Sequence, residues 1–326
     1  GTENIAIGYD CGKNIIQGNS SIIIGANAGN SLINNDDNII IGNSANADNF
    51  VEVTQAEVTY NYDREVNKPK QFLADLTPLL LTKLFSSSDA GGGKLQTLQA
   101  ITKSLSEKDL LLYFSNNHAQ EEATALGWTG TLPQNASGFL MVNNANIGGH
   151  KSDQFMEQEI DYRTTLAENG GADVVLTVRR THHGPAEKID FDYREEGNPA
   201  EKDNVIYQRT LVPKNAVFLE AKGFVAESEI PRAIATDSSF QLEADPDIVA
   251  WQQGQRRMPD GTVVGTESGY TFFANWVITK PGQTSVTLYH YKIPNAVTMP
   301  GLFGKASSFA LSLAKQPGQH RGSIRA

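Results

Sequence analysis

Three stretches near the start of the chain, NIAIGYDCGKN, SIIIGANAGNS and NIIIGNSANAD, superpose on a period of 17 residues. Gly8, Gly25 and Gly42 align, and Ile5 and Ile7 fall on Ile22 and Ile24 and then on Ile39 and Ile41. Cys11 aligns with Ala28 and Ala45, and Ile15 and Ile16 align with Leu32 and Ile33. A period held this closely marks a repeat architecture, because one short unit cannot bury its apolar face and must stack on its neighbours. Ile-x-Ile sends alternate side chains to one face of a strand. The Gly and Asn after it supply the left-handed backbone of a tight turn. Each repeat therefore reads as two short strands and two turns, one rung of a β-roll over residues 1–48. Cys11 sits in a slot that is Ala in both sister repeats, so it reads as a small inert core residue.

The pattern ends near Asp48, and composition bounds the rest of the chain. There are 326 residues in all, 39% of them hydrophobic and 20% charged, with a net charge of -10. That is the make-up of folded protein, and an acidic surface argues against a nucleic-acid partner. A lone cysteine rules out an intrachain disulfide. No apolar run approaches the length of about 18 residues that a membrane helix needs. The chain opens on Gly1 and closes on a short alternating run, GSIRA. The expectation is a piece of a longer protein, with any anchoring segment upstream.

Residues 49–150 read as an α/β segment. Phe72, Leu73, Leu76, Leu79, Leu80 and Leu84 recur at helical spacing, with Pro69 at the helix start and Pro78 inside, where a kink or break is expected. SSSDAGGGK, residues 86–94, has linker composition. A second helix carries Leu95, Leu98, Ile101 and Leu105. KDLLLYF, residues 108–114, reads as a buried strand. SNNHAQEEATALGW reads as a short helix capped by Ser115 or Asn116 and ended by Gly127. GFLMVNNANIGGHKSD is a strand and a Gly-rich turn.

From 151 to 326 the pattern alternates. QEIDYRTTL, ADVVLTVRRTH, DNVIYQRTLVP, AVFLEAKGF, GYTFFANWVI, TSVTLYHYKIP and SFALSLAKQP each read as strands between turn signals. The expectation is an antiparallel β-sandwich of immunoglobulin-like type, without the Cys-Trp-Cys signature. The fold class as a whole is mainly β with a small α/β part.

Candidate chemistry is sparse. His182 and His183 in RRTHHGP are a strand-end turn or a functional pair. As neighbours on a strand they point to opposite faces and cannot readily share one ion. Asp190, Asp192, Glu195 and Glu196 form a solvated loop or a calcium site, though the Asp ladder of an EF-hand is missing. Trp251, Trp276, Tyr270, Phe272 and Phe273 are core or a sugar-stacking patch. His118 and His150 stand in polar surroundings with no nucleophile setting. No catalytic or metal-binding residue is assigned, and no cofactor is expected.

Two resemblances add to these patterns. The AIG-x-x-A-G core of residues 1–49 resembles the left-handed β-roll repeats of trimeric bacterial adhesin heads and of phage tail fibres. That resemblance implies a homotrimer through residues 1–48. From about Asp48 onward, NKPKQFLADL (with Asn67, Pro69 and Lys70 carrying the match), LSEKDLLLYF, ALGWTG, FLMVNNANIGGHKSDQFM and LVPKNAVFLEAKGF together resemble the bacterial domain of unknown function 4012. That family implies an envelope-exposed protein anchored by an upstream helix. Its central α/β part is distantly similar to the LytR-CpsA-Psr enzymes, which attach polymers to cell walls. The residues that would carry such chemistry should precede residue 48, where the β-roll stands instead. The expected function is a cell-surface or envelope structural or adhesion protein, with a cell-wall or host-surface polymer as possible partner. The alternatives are an envelope polymer ligase without its active region and a phage tail-fibre component.

Overall fold

The computed structural model describes residues 5–7, 22–24, 39–41, 54, 58, 68, 70–86, 93–133, 137–149, 151–184, 201–230, 243–297, 308–319 and 322–326. The chain divides into two compact units, residues 1–100 with 192–195 and residues 101–191 with 196–326.

In the first unit, β1 (Ile5–Ile7), β2 (Ile22–Ile24) and β3 (Ile39–Ile41) form a parallel three-stranded sheet. Ile5 pairs with Ile22 and Ile22 with Ile39, so the register equals the 17-residue sequence period. Parallel strands whose register equals the repeat length are what stacked rungs require. The turn glycines Gly8, Gly25 and Gly42, the second strand of each repeat, and Cys11 lie outside the described residues.

Helix α1 (Gln71–Ser86) corrects one expectation, since it runs through Pro78 without a break. Proline removes the N–H that the Ala74 carbonyl would accept. Side-chain bonds reinforce the helix around it: Thr77 Oγ1 donates to the Leu73 carbonyl at 2.7 Å and Thr82 Oγ1 to that of Pro78 at 2.8 Å. Leu76 beside it is buried. Helix α2 (Gly93–Ser106) takes in the end of the expected linker. Of its apolar stripe Leu105 is buried, while Leu95 and Leu98 are exposed.

The second unit begins with a further correction. KDLLLYF is neither a strand nor buried: Leu110, Leu111, Tyr113 and Phe114 are all exposed. Its backbone N–H groups bond to the helix regions on either side instead of to a strand edge: Asp109 N and Leu110 N donate to the Ser104 carbonyl of α2. Leu112 N donates to the Trp128 carbonyl at 2.8 Å and Phe114 N to Gln120 Oε1 at 2.8 Å. Lys108, at φ 61°, donates to the carbonyls of Gly127 and Thr129. Helix α3 (Asn117–Ala125) starts as its sequence indicates, with the Asn116 side chain accepting from Ala119 N, and Gly127 comes after it at φ 74°.

Two sheets complete this unit. Their strands are β4 (Gly138–Asn146), β5 (Met156–Leu166), β6 (Ala172–His182), β7 (Asn204–Val212) and β8 (Val217–Lys222). After helix α4 (Pro246–Gln253) come β9 (Arg256–Arg257), β10 (Val263–Glu267), β11 (Tyr270–Thr279), β12 (Thr284–Ile293), β13 (Leu311–Ala314) and β14 (Gly322–Arg325). The six-stranded sheet runs β13-β4-β7-β11-β10-β9 and the five-stranded sheet β14-β5-β6-β12-β8. The sheets are mixed, not antiparallel: β13 joins β4 and β14 joins β5 in parallel. β4, expected in the preceding segment, is an inner strand of the six-stranded sheet.

Alternation builds the core. Ala172, Val174, Leu176 and Val178 of β6 are buried at every second position. They share a cluster with Leu140, Val142, Val212 and Phe273 of the other sheet. Each of these side chains larger than alanine contributes about 1.5–3 kcal/mol on burial. At one end the interior turns polar. Arg180, Gln158, Asn144, Asn204 and Gln208 are all buried there. Arg180 Nη2 donates to Asn204 Oδ1 at 2.9 Å, and Asn144 Nδ2 to Gln158 Oε1 at 2.8 Å.

Candidate functional site

The outer face of the six-stranded sheet carries an open cleft of about 1020 Å³. Its floor comes from β7 and β11, where Tyr207 is paired with Trp276 and Arg209 with Ala274. The small Ala274 leaves room beside the larger side chains. The Tyr207 and Trp276 rings lie 5.0 Å apart at 57°, tilted edge toward face, and both are half-buried. Burial pushes the Tyr207 hydroxyl up from its ordinary value, so it stays a neutral donor and acceptor.

Helix α4 supplies the third aromatic wall. Asp245 caps it by accepting from Asp247 N at 2.9 Å and Ile248 N at 3.3 Å, and Pro246 opens the first turn. This places Trp251 5.9 Å from Phe272, ring to ring, with the Arg209 guanidinium 5.1 Å from the Trp251 centroid and 5.2 Å from that of Phe272. Cation–π attraction holds Arg209 in place. The Phe272 ring lies over Gly265 on β10, where any Cβ would meet its Cζ at 2.6 Å.

Each charged group of the cleft among the described residues has at least one polar partner, though the buried Arg209 Nε has none. Arg209 Nη1 donates to Glu267 Oε2 at 2.7 Å, and Arg257 Nη2 to Glu227 Oε2 at 3.1 Å. Glu229 Oε1 accepts from Ala226 N at 2.9 Å and Asp260 Oδ1 from Thr262 N at 3.0 Å. The wall bearing Glu227 is tied to the floor by Val225 N donating to the Trp276 carbonyl at 3.0 Å. Gln252 and Gln255 add neutral amides, and Gln255 Nε2 is buried with no hydrogen-bond partner in the protein. Half-exposed rings beside fixed planar polar groups can stack on an apolar face and hydrogen-bond its substituents.

The expected aromatic group thus divides. Trp251 and Trp276 line the cleft together. Tyr270, Phe272 and Phe273 are buried core residues, of which Phe272 also lines the cleft. Sequence reasoning missed Tyr207, Arg209, Arg257 and Gln255, which no local motif marks.

His182 and His183 are not brought together. His182 is buried and its ring faces inward. Gly184 N, a donor, lies 2.9 Å from Nδ1, and the Lys202 carbonyl, an acceptor, lies 3.1 Å from Nε2. Nδ1 must therefore accept and Nε2 must carry the proton. Burial lowers the His182 pKa, only partly opposed by the Lys202 carbonyl and Asp203. His183 lies on the other side, its Nε2 2.6 Å from Glu157 Oε2. His182 thus closes β6 with both ring nitrogens engaged by backbone groups. His118 is exposed, 4.0 Å from Glu122. His150, Asp190, Asp192, Glu195 and Glu196 lie outside the described residues. Among the described residues no cluster of three or more His, Cys, Asp or Glu side chains could hold a metal ion, and no helix is long and apolar enough to cross a membrane.

No family model matches the chain, and neither the curated proteins nor the solved structures contain a significant match to it.

Proposed function

We propose that the protein is a non-enzymatic bacterial cell-surface or envelope protein of structural or adhesive type, which holds a cell-wall or host-surface polymer in the Trp251–Tyr207–Trp276 cleft. The observation that carries this reading is the convergence of three half-exposed rings on one open cleft whose two guanidinium groups each already meet a carboxylate. The resemblance to domain of unknown function 4012 supports an envelope location. In this reading the second unit is an immunoglobulin-like sandwich extended by two parallel strands. The first unit is a β-roll that trimerises through residues 1–48, and the register of β1, β2 and β3 supports the stacking part of that assignment.

The test of polymer binding is co-sedimentation of the full chain with insoluble cell-wall polysaccharide, wild type against Trp251→Ala. Retention of wild type and loss in the variant supports the reading; wild type left in the supernatant ends it. Light scattering on the eluting peak tests the trimer, and a monomeric mass at micromolar concentration sinks it. The same parallel stack also favours a phage tail-fibre component, which predicts the trimer without cell-wall retention.

A further inference from the structure

We propose that the cleft takes an uncharged glycan chain and excludes acidic polymers, an inference that rests on the polymer-binding reading above. Charge decides it. Among the described residues the lining holds two guanidinium groups, Arg209 and Arg257, and three carboxylates, Glu227, Glu229 and Asp260. Arg209 is engaged by Glu267, and Arg257 by Glu227 and the Gly261 carbonyl. Among the described residues, each guanidinium of the lining already faces a carboxylate, and the Arg209 Nε that has no partner is buried, so neither is free to grip a phosphate or uronate. The surplus carboxylate repels such groups, and the net charge of -10 adds to the repulsion at long range.

A cationic ligand fits no better. The carboxylates already accept from Arg257 or from backbone amides. Arg209 already occupies the cation position over Trp251. A quaternary ammonium would leave most of the 1020 Å³ unfilled. Aromatic surface and neutral amides remain available. Sugar rings present apolar C–H faces to the first and hydroxyls to the second, with no charge to desolvate.

Gln255 sharpens the assignment. Its Nε2 is a buried donor without a protein partner, in the wall beside Trp251. A buried donor left unmade costs the free protein stability. A sugar oxygen in the cleft would accept from it and remove that cost. The proposal therefore makes Gln255 a binding residue instead of a structural one, and that distinction can be measured.

The experiment is affinity electrophoresis of the full chain in native gels containing neutral polysaccharides (dextran, galactomannan, β-glucan) or acidic ones (polygalacturonate, alginate). The expected result is retardation by at least one neutral polymer, with no slowing by acidic ones beyond a polymer-free gel. Trp276→Ala and Trp276→Phe test the platform; the alanine variant should weaken binding by about tenfold, with the phenylalanine variant between. Gln255→Met should weaken binding by about fivefold while its thermal midpoint holds or rises. A fall in midpoint with binding unchanged would return Gln255 to a structural role. Glu227→Gln, which frees Arg257, should give an acidic-polymer retardation that wild type lacks. Acidic polymers slowing wild type as much as neutral ones, or more, overturns the neutral assignment and leaves polymer binding standing. Retardation by neither class overturns both.

Discussion

Gln158 stands directly across from Arg180 in the register of β5 and β6, and its Oε1 accepts from Arg180 Nη1 at 3.1 Å between the two sheets. The same oxygen accepts from Asn144 on the opposite sheet, so one amide links both layers. Burial pulls the Arg180 guanidinium down to about 10, with Asp153 the countering charge at 3.8 Å. Removing an acceptor from a buried cation is costly, whereas removing the cation too is often neutral. Gln158→Leu is expected to lower stability by about 3 kcal/mol, read as a shifted urea midpoint. Adding Arg180→Met should restore most of it. An unchanged midpoint in the single variant would mean that Asn204 alone satisfies the guanidinium.

Stability should fall on acidification through His182. Its folded pKa lies below the ordinary 6.5, so the unfolded chain binds the proton more readily. The contribution is complete above pH 6.5 and is lost as pH falls from there through the folded value. Protonation would set an N–H at Nδ1 against the Gly184 N–H. Urea midpoints for wild type and His182→Gln between pH 8 and 5 isolate the effect: the gap between the two proteins should narrow toward pH 5. A gap independent of pH would mean the imidazole stays neutral throughout.

Gly223 holds the turn that carries the chain from β8 to the cleft wall. It sits at φ 80°, and a Cβ there would collide with the Val286 carbonyl oxygen. Gly223→Ala should cost about 2–3 kcal/mol and displace Phe224 and Val225, so glycan retardation should fall along with the melting temperature. Full retention of both would show that the backbone relaxes freely at this turn.

The 17-residue register makes a prediction about length. Duplicating residues 22–38 adds one whole period and should preserve parallel pairing and raise β content by circular dichroism. Inserting the same stretch less one residue turns every later side chain to the wrong face and should lose it. Equal spectra for the two insertions would deny the stack.

Much of the fold was legible, and the failures have physical causes. β5, β6 and β12 each bury one side of an alternating run, the pattern a strand imposes on its sequence, while β7 and β11 are buried on both faces over part of their length and read as strands from their apolar and β-branched content. β10 escapes notice because Gly265 puts no side chain in the pattern and its partner ring comes from β11. KDLLLYF has the apolar content of a strand, but content does not supply a neighbour to bond. The eight residues of α4 are too few for periodicity, and Ile248 on it is exposed. Its Asp245-Pro246 start was a usable signal. Trp251 and Trp276 were visible as candidates. Their meeting with Tyr207 and Arg209 depends on strand order, which no local stretch encodes. The parallel attachment of β13 and β14 is hidden for the same reason.

That attachment sets a timetable for folding. Ser137, at the start of β4, bonds to Ala310, 173 residues later in the chain. At translation rates of about 5–20 residues per second, roughly 10–35 seconds separate the synthesis of the two. Throughout that interval the outer edges of β4 and β5 emerge from the ribosome without their partners. A strand from a neighbouring nascent copy could settle there first, so expression at high density should favour exchanged dimers, and slower initiation should favour chains that close on their own strands.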